Sequence, residues 1–240
     1  MPPVNPTLEV ILDRTIEALK TELGVNLHSC CLYGSAVRGN AVEGVSDLNL
    51  LIVVVDSTPA AHQAIARALA GRTQVNPFIL GQRGFARSAR AFATKFASIR
   101  RHHRLLCGAD PFTDLTSDPQ LERFLCEQVL RNLRLRMVYS FVTRSRHKNY
   151  DRFLMGNVTA MVVQFSEALR LGGVAIPTDF PARIPIFERE FRCDGQVLRD
   201  LLALKGTSHR FSEAETVQWH DRLFPVVDGV LRWLEERWTA

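Results

Sequence analysis

The segment Ser46-Asp47-Leu48-Asn49-Leu50-Leu51-Ile52-Val53-Val54-Val55 constrains the fold more than any other in the chain. An unbroken apolar run rich in β-branched side chains reads as a central strand covered on both faces, because a strand with one wet face alternates with polar residues. Residues 27–33 form a second short apolar run that stops at Gly34, and residues 75–80 form a third. Phe92, Thr94 and Phe96 alternate, so residues 92–99 read as a fourth strand. Helical spacing of Leu8, Ile11, Leu12, Ile16 and Leu19 predicts a helix over residues 7–23, capped by Thr7 and ended by Gly24. Thr58-Pro59 opens another, through about residue 69. Helices and strands alternating in this way imply a layered α/β arrangement.

Past Pro111 the strand signals cease. Asp118-Pro119 starts a long helix to about residue 146, with Leu121, Phe124, Leu125, Gln128, Asn132, Leu135 and Tyr139 near one stripe and Leu133, Met137 and Phe141 beside it. A helix over 153–171 ends at Gly172-Gly173, residues 177–185 read as a proline-rich loop, and residues 195–204 and 212–238 supply the remaining helices. Ser212 and Glu215 have capping-box spacing. The expected organisation is therefore two domains, residues 1–115 and 116–240, the second a helical bundle.

Composition removes some classes of function. No apolar run reaches the length of about 18 residues that a membrane span needs. The start of the chain, Met1-Pro2-Pro3-Val4-Asn5-Pro6, has neither a basic nor an apolar leader region, so a cytoplasmic location is expected and no membrane partner. The five cysteines, Cys30, Cys31, Cys107, Cys126 and Cys193, lack metal-ligand spacing and read as buried, reduced thiols. Lys and Arg number 30 against 25 Asp and Glu, a net charge of +5, which by itself names no partner. The distribution says more: Arg83, Arg87, Arg90, Lys95, Arg100, Arg101 and Arg104 follow one another with no acid between, and Arg131, Arg134, Arg136, Arg144, Arg146 and Lys148 form a second cluster. Each is either a solvated face or a site for a polyanion, nucleotide phosphates or RNA.

Chemistry concentrates in Leu32-Tyr33-Gly34-Ser35-Ala36-Val37-Arg38-Gly39 and Ser46-Asp47-Leu48-Asn49. Gly34 lets a backbone approach a phosphate closely, and Ser35 adds an N–H and a hydroxyl. Residues 47 and 49 project from the same face of a strand, where two carboxylates would chelate a divalent metal beside that turn.

The order Gly34-Ser35, Arg38-Gly39, then Ser46-Asp47-Leu48-Asn49 resembles the DNA polymerase beta-like nucleotidyltransferase superfamily, which includes aminoglycoside nucleotidyltransferases. Phe92-Ala93-Thr94-Lys95-Phe96, followed by His103-Arg104-Leu105-Leu106-Cys107-Gly108-Ala109-Asp110-Pro111, is similar to a segment of some bacterial members in which a strand supplies a third acid. The similarity covers roughly residues 27–115. It implies an α+β fold: an N-terminal mixed sheet flanked by helices, followed by the C-terminal bundle. It further implies transfer of a nucleoside monophosphate from a nucleoside triphosphate to an acceptor hydroxyl, with Asp47, Asn49 and Lys95 at the catalytic positions, Gly34, Ser35 and Arg38 on the nucleotide, and Asp47 as a ligand of Mg²⁺.

Two departures stand out. Asn49 occupies the place of the second acid, and Lys95 that of the third. Side-chain charge at the site falls from about −3 to about 0, which weakens a cation that needs anionic oxygen ligands. The third acid is also the usual base for the acceptor hydroxyl, a role a protonated lysine cannot take. Impaired or lost transfer is therefore expected, with three readings open: a surviving enzyme, a nucleotide- or RNA-binding pseudoenzyme in which Lys95 replaces a metal, and an interaction scaffold. The helical half leaves open an acceptor cleft or a homodimer face. Adjacent His102 and His103 face apart and make a poor metal pair, and His147 with Lys148 suits a helix C-terminus. Trp219, Trp233 and Trp238 share a helix with aliphatic residues and read as core.

Overall fold

A computed structural model describes residues 6–34, 36–37, 48–116, 118–147, 149–205 and 207–238. The chain divides into two compact units, Met1–Asp118 and Pro119–Ala240. The whole is α+β, a mixed sheet with flanking helices and then helices alone.

In the first unit, four strands, β1 (Leu27–Tyr33), β2 (Leu48–Val54), β3 (Val75–Gly81) and β4 (His103–Gly108), lie in the order β3-β2-β1-β4. β1 is antiparallel to β2 and β4, while β2 and β3 run parallel. The run that dominates the sequence is thus an inner strand, and Leu48, Leu50, Leu51, Ile52 and Val54 have no exposed surface. Alternate residues serve opposite layers. Leu48, Leu50, Ile52 and Val54 pack with Cys30 and Leu32 under α1 (Pro6–Leu23) and α2 (Pro59–Ala68). Leu51 and Val53 pack with Cys31 under α3 (Gln82–Ala91) and α4 (Ala93–Arg101). A fully buried aliphatic side chain is worth about 1.5–3 kcal/mol, so covering both faces of β2 outweighs any single polar contact in the unit.

Local signals explain the helices. α1 buries Leu8, Leu12, Ile16, Leu19 and Leu23, spaced by three and four. Thr58 caps α2, its hydroxyl accepting from Ala61 N at 3.2 Å, with Pro59 in the first turn. The alternation over 92–99 is misleading: these residues form the helix α4, and the fourth strand comes later, at His103–Gly108. Phe92 is 58% exposed, whereas Ala93, Phe96 and Ile99 are buried at helical spacing, with Phe85 and Ala89 of α3 completing the same layer. Three aromatic rings there, Phe78, Phe85 and Phe96, meet edge to face.

Among the described residues of the second unit the regular elements are all helices, the α-helices being α5 (Pro119–Val142), α6 (Arg144–His147), α7 (Tyr150–Leu171), α8 (Ile184–Phe191), α9 (Gln196–Leu204) and α10 (Glu213–Arg237). The long helix predicted to 146 ends at Val142, and α8 replaces the end of the predicted proline-rich loop. Within α5 the buried residues are Glu122, Cys126, Leu130, Leu133 and Met137, so Leu133 and Met137, expected beside the main stripe, are core, while the main stripe is not. Phe124, Leu135 and Tyr139 of that stripe are among the most exposed apolar side chains of the protein. α5 is apolar on more than one side, so spacing alone offers two faces. The face chosen is the one that meets the inward row of α7, Leu154, Val158, Met161, Val162 and Phe165. Ser212 and Glu215 close the capping box at the start of α10, and Trp233 is core as expected. Burial pushes the thiols of Cys31 and Cys126 up to about 12, in keeping with inert cysteines. Among the described residues no helix is long and apolar enough to cross a membrane.

Candidate functional site

Strand register brings a polar row to one end of the sheet. Asn49 lies opposite Tyr33 on β1 and Asn76 on β3, and Tyr33 lies opposite His103 on β4. Residues paired across a sheet share a face, so Asn76, Asn49, Tyr33 and His103 line up on the side covered by α3 and α4. The next residues along, Leu51 and Phe78, are apolar, so the row marks the point where the packed layer gives way to polar chemistry.

Gly34 leaves β1 at this row with φ +88°, in the left-handed region where a Cβ is strained. A side chain there would also stand 3.0 Å from Asn49 Nδ2. Gly34 and Asn49 therefore lie together, and glycine is what lets the turn pass so close to β2. Asn49 is half-buried, and its Oδ1 accepts from Asn76 Nδ2 at 3.2 Å. Ser35, Arg38 and Asp47 lie outside the described residues.

Lys95 stands on α4 rather than on a strand, and its Nζ sits 3.6 Å from the centroid of the Phe78 ring, a cation–π contact. Although the residue as a whole is exposed, partial burial of the amine lowers its pKa from the ordinary lysine value. Among the described residues no carboxylate pairs with it. The lysine thus faces the same layer as Asn49 and Asn76, held over β3 by an aromatic ring.

The stretch from His103 to Asp110 has structural work. His103 Nε2 meets Asp110 Oδ2 at 3.2 Å, and its Nδ1 meets Arg100 O at 3.0 Å, so both ring nitrogens are engaged. Arg104 grips Glu9 of α1 through two hydrogen bonds of 2.6 and 2.9 Å, which lowers the pKa of the Glu9 carboxyl. Gly108 is held by its neighbours, since a Cβ there would fall 2.0 Å from His28 O. These contacts tie β4 to α1, to α4 and to β1.

The donor set does not fit Mg²⁺ at the described positions. Asn49 offers one neutral amide oxygen that already accepts from Asn76, and a cation stands at position 95. Among the described residues no three His, Cys, Asp or Glu side chains gather as metal ligands. Asn76 is the site residue that sequence reading missed. Its signal was a lone amide inside an apolar strand, but only the β2–β3 register joins it to Asn49.

No family profile matches the chain, and no curated protein matches it significantly. Among solved structures, the chain is similar to spectinomycin adenyltransferase AAD(9) from Enterococcus faecialis, determined with ATP and spectinomycin. The TM-score is 0.57 at 14% identity, over 90% of this chain and 98% of that one. Similarity at this identity establishes a shared fold.

Proposed function

We propose that this chain is a nucleotidyltransferase-like protein that binds a nucleoside triphosphate where β1 passes to β2, with nucleotidyl transfer impaired or lost. The fold likeness to an adenyltransferase supports the class, and the Gly34 turn supports a phosphate pocket. The observation that carries the impairment is the Asn76–Asn49 hydrogen bond. An amide committed to its neighbour takes the place where the family resemblance puts a metal-binding acid. In the intact reaction the acceptor oxygen bonds to the α-phosphorus, the bond to the β-phosphate oxygen breaks, pyrophosphate leaves with the electron pair, and a base takes the acceptor proton. Lys95 is no carboxylate base and adds positive charge where phosphates would lie, so it favours binding over turnover.

Calorimetry with ATP tests this reading, giving an affinity that changes less than about tenfold on removing Mg²⁺. A strict Mg²⁺ requirement sinks it. Transfer from α-labelled ATP to a hydroxyl acceptor should be weak and abolished by Asp47→Ala; vigorous transfer would restore the enzyme reading. A second reading, RNA binding, rests on Arg83, Arg87 and Arg90 of α3, exposed and without a carboxylate partner among the described residues. It predicts salt-sensitive binding of single-stranded RNA that is lost when all three become Gln.

A further inference from the structure

Within the helical unit, the end of α5 and the beginning of α7 border an open cleft of about 600 Å³. α5 contributes Arg136, Tyr139 and Ser140, one face of its last turns. α7 contributes Arg152, Phe153 and Asn157, one face of its first turns, and Asn149 sits at its N-cap without a side-chain capping bond. Among the described residues no acid lines the space.

The two arginines differ from their neighbours. Arg131 holds Glu127 at 2.7 Å, Arg134 holds Asp228 at 3.2 Å, and Arg144 holds Glu213 at 2.8 Å. Asp151, adjacent to Arg152 in sequence, is buried and committed to Arg210. Arg136 and Arg152 have no carboxylate partner among the described residues, and both are exposed. Arg136 instead lies 5.5 Å from the Phe153 ring centroid, a cation–π contact. Hydroxyls of Tyr139 and Ser140 add donors, while the positive end of the α7 dipole and the negative end of the α5 dipole both lie here and offset each other, so the attraction rests on the two guanidiniums. Two guanidiniums, neutral donors and aromatic surface, with no acid among the described lining residues, select an anion that carries a flat ring. The volume falls in the range of small-molecule sites.

We propose that this cleft is a second ligand site, taking a small phosphate-bearing molecule with a planar ring, of which a mononucleotide is the type. Phosphate oxygens would bridge Arg136 and Arg152, and the ring would lie against Tyr139, because Phe153 already carries Arg136 and Tyr150. The site consists wholly of residues in the helical unit and does not depend on the reading of Gly34 and Asn49.

The test is titration of the full chain with AMP, pyrophosphate and adenosine, followed through backbone amide resonances. Addition of AMP to the unaltered protein should shift the amides of residues 149–157, with pyrophosphate doing so more weakly and adenosine more weakly still. The R136Q/R152Q protein should lose about tenfold or more in AMP affinity at those resonances. Asn49→Ala with Asn76→Ala should leave that affinity unchanged, separating this site from the one at the sheet. Three results would each overturn the proposal: silent amides at 149–157 in the unaltered protein, a double variant that titrates as the parent does, or adenosine binding as tightly as AMP. The first measurement needs no substitution, so it decides the matter even if a variant misfolds.

Discussion

Arg170 in the helical unit reaches two buried carboxylates, Glu122 at 2.9 Å and Glu167 at 3.0 Å, whereas Arg83, Arg87 and Arg90 along α3 reach none among the described residues. One set of cations holds helices together and the other faces solvent beside a sheet. The same contrast appears within the helical unit itself, where Arg136 and Arg152 stand apart from paired neighbours and converge on a cleft. Arginine count and clustering therefore do not locate a binding surface. What locates it is which guanidiniums the fold leaves without acids.

The largest effect that tests this contrast is on stability. Arg170→Ala should cost about 3 kcal/mol, because it removes a cation that pairs with two buried carboxylates at once. Arg87→Gln on α3 should stay within about 0.5 kcal/mol. All three tryptophans, Trp219, Trp233 and Trp238, belong to the helical unit, so urea unfolding followed by tryptophan fluorescence reads the first effect directly. Equal costs for the two variants would break the comparison.

The sheet unit is probed through charge rather than stability. Asn49→Asp combined with Lys95→Glu should raise Mg²⁺ affinity by about tenfold or more, equivalent to about 1.4 kcal/mol. Calorimetry with MgCl₂ measures it, and no gain would mean that the polar row is not a metal site stripped of its acids. Smaller again, Ser212→Ala should lower the stability of the helical unit by about 1 kcal/mol, since the hydroxyl accepts from Glu215 N at 3.2 Å. Fluorescence-detected unfolding should show it, and a neutral result would mean that Glu213 and Glu215 suffice to hold the start of α10.

The smallest effect concerns Lys95. Burial lowers its pKa in the folded protein, so the charged amine opposes folding at pH below that lowered value. Stability should rise as pH climbs from the folded pKa towards the unfolded value of about 10.4. The rise attributed to Lys95 is the difference between the parent and Lys95→Met measured across pH 8–10.5. Superimposable profiles would place the amine fully in water rather than against Phe78.

Much of the fold was legible before any coordinates. The β-branched run became the inner strand β2, Gly34 became a strand-ending turn with positive φ, Thr58 and Ser212 became caps, and residues beyond 118 became helices. At the site, the family resemblance pointed to Gly34 and Asn49, and these two meet. Two local readings failed for the same reason. Phe92, Thr94 and Phe96 alternate, yet their segment is helical, and α5 carries two apolar stripes of which the less obvious one is buried. In each case the local pattern fits more than one answer, and partners distant in sequence make the choice.

By itself, then, the sequence determined the order and kind of most elements, because caps, glycine stops and apolar runs act over a few residues. It also put a neutral amide rather than an acid at position 49, which is written in one letter. Tertiary structure alone decided that Asn76 meets Asn49 across 27 residues of chain, that Lys95 rests on Phe78, and that Arg136 and Arg152 share a cleft. The physical reason is that strand register and helix packing are set by burying whole faces together. No short stretch of sequence carries that information.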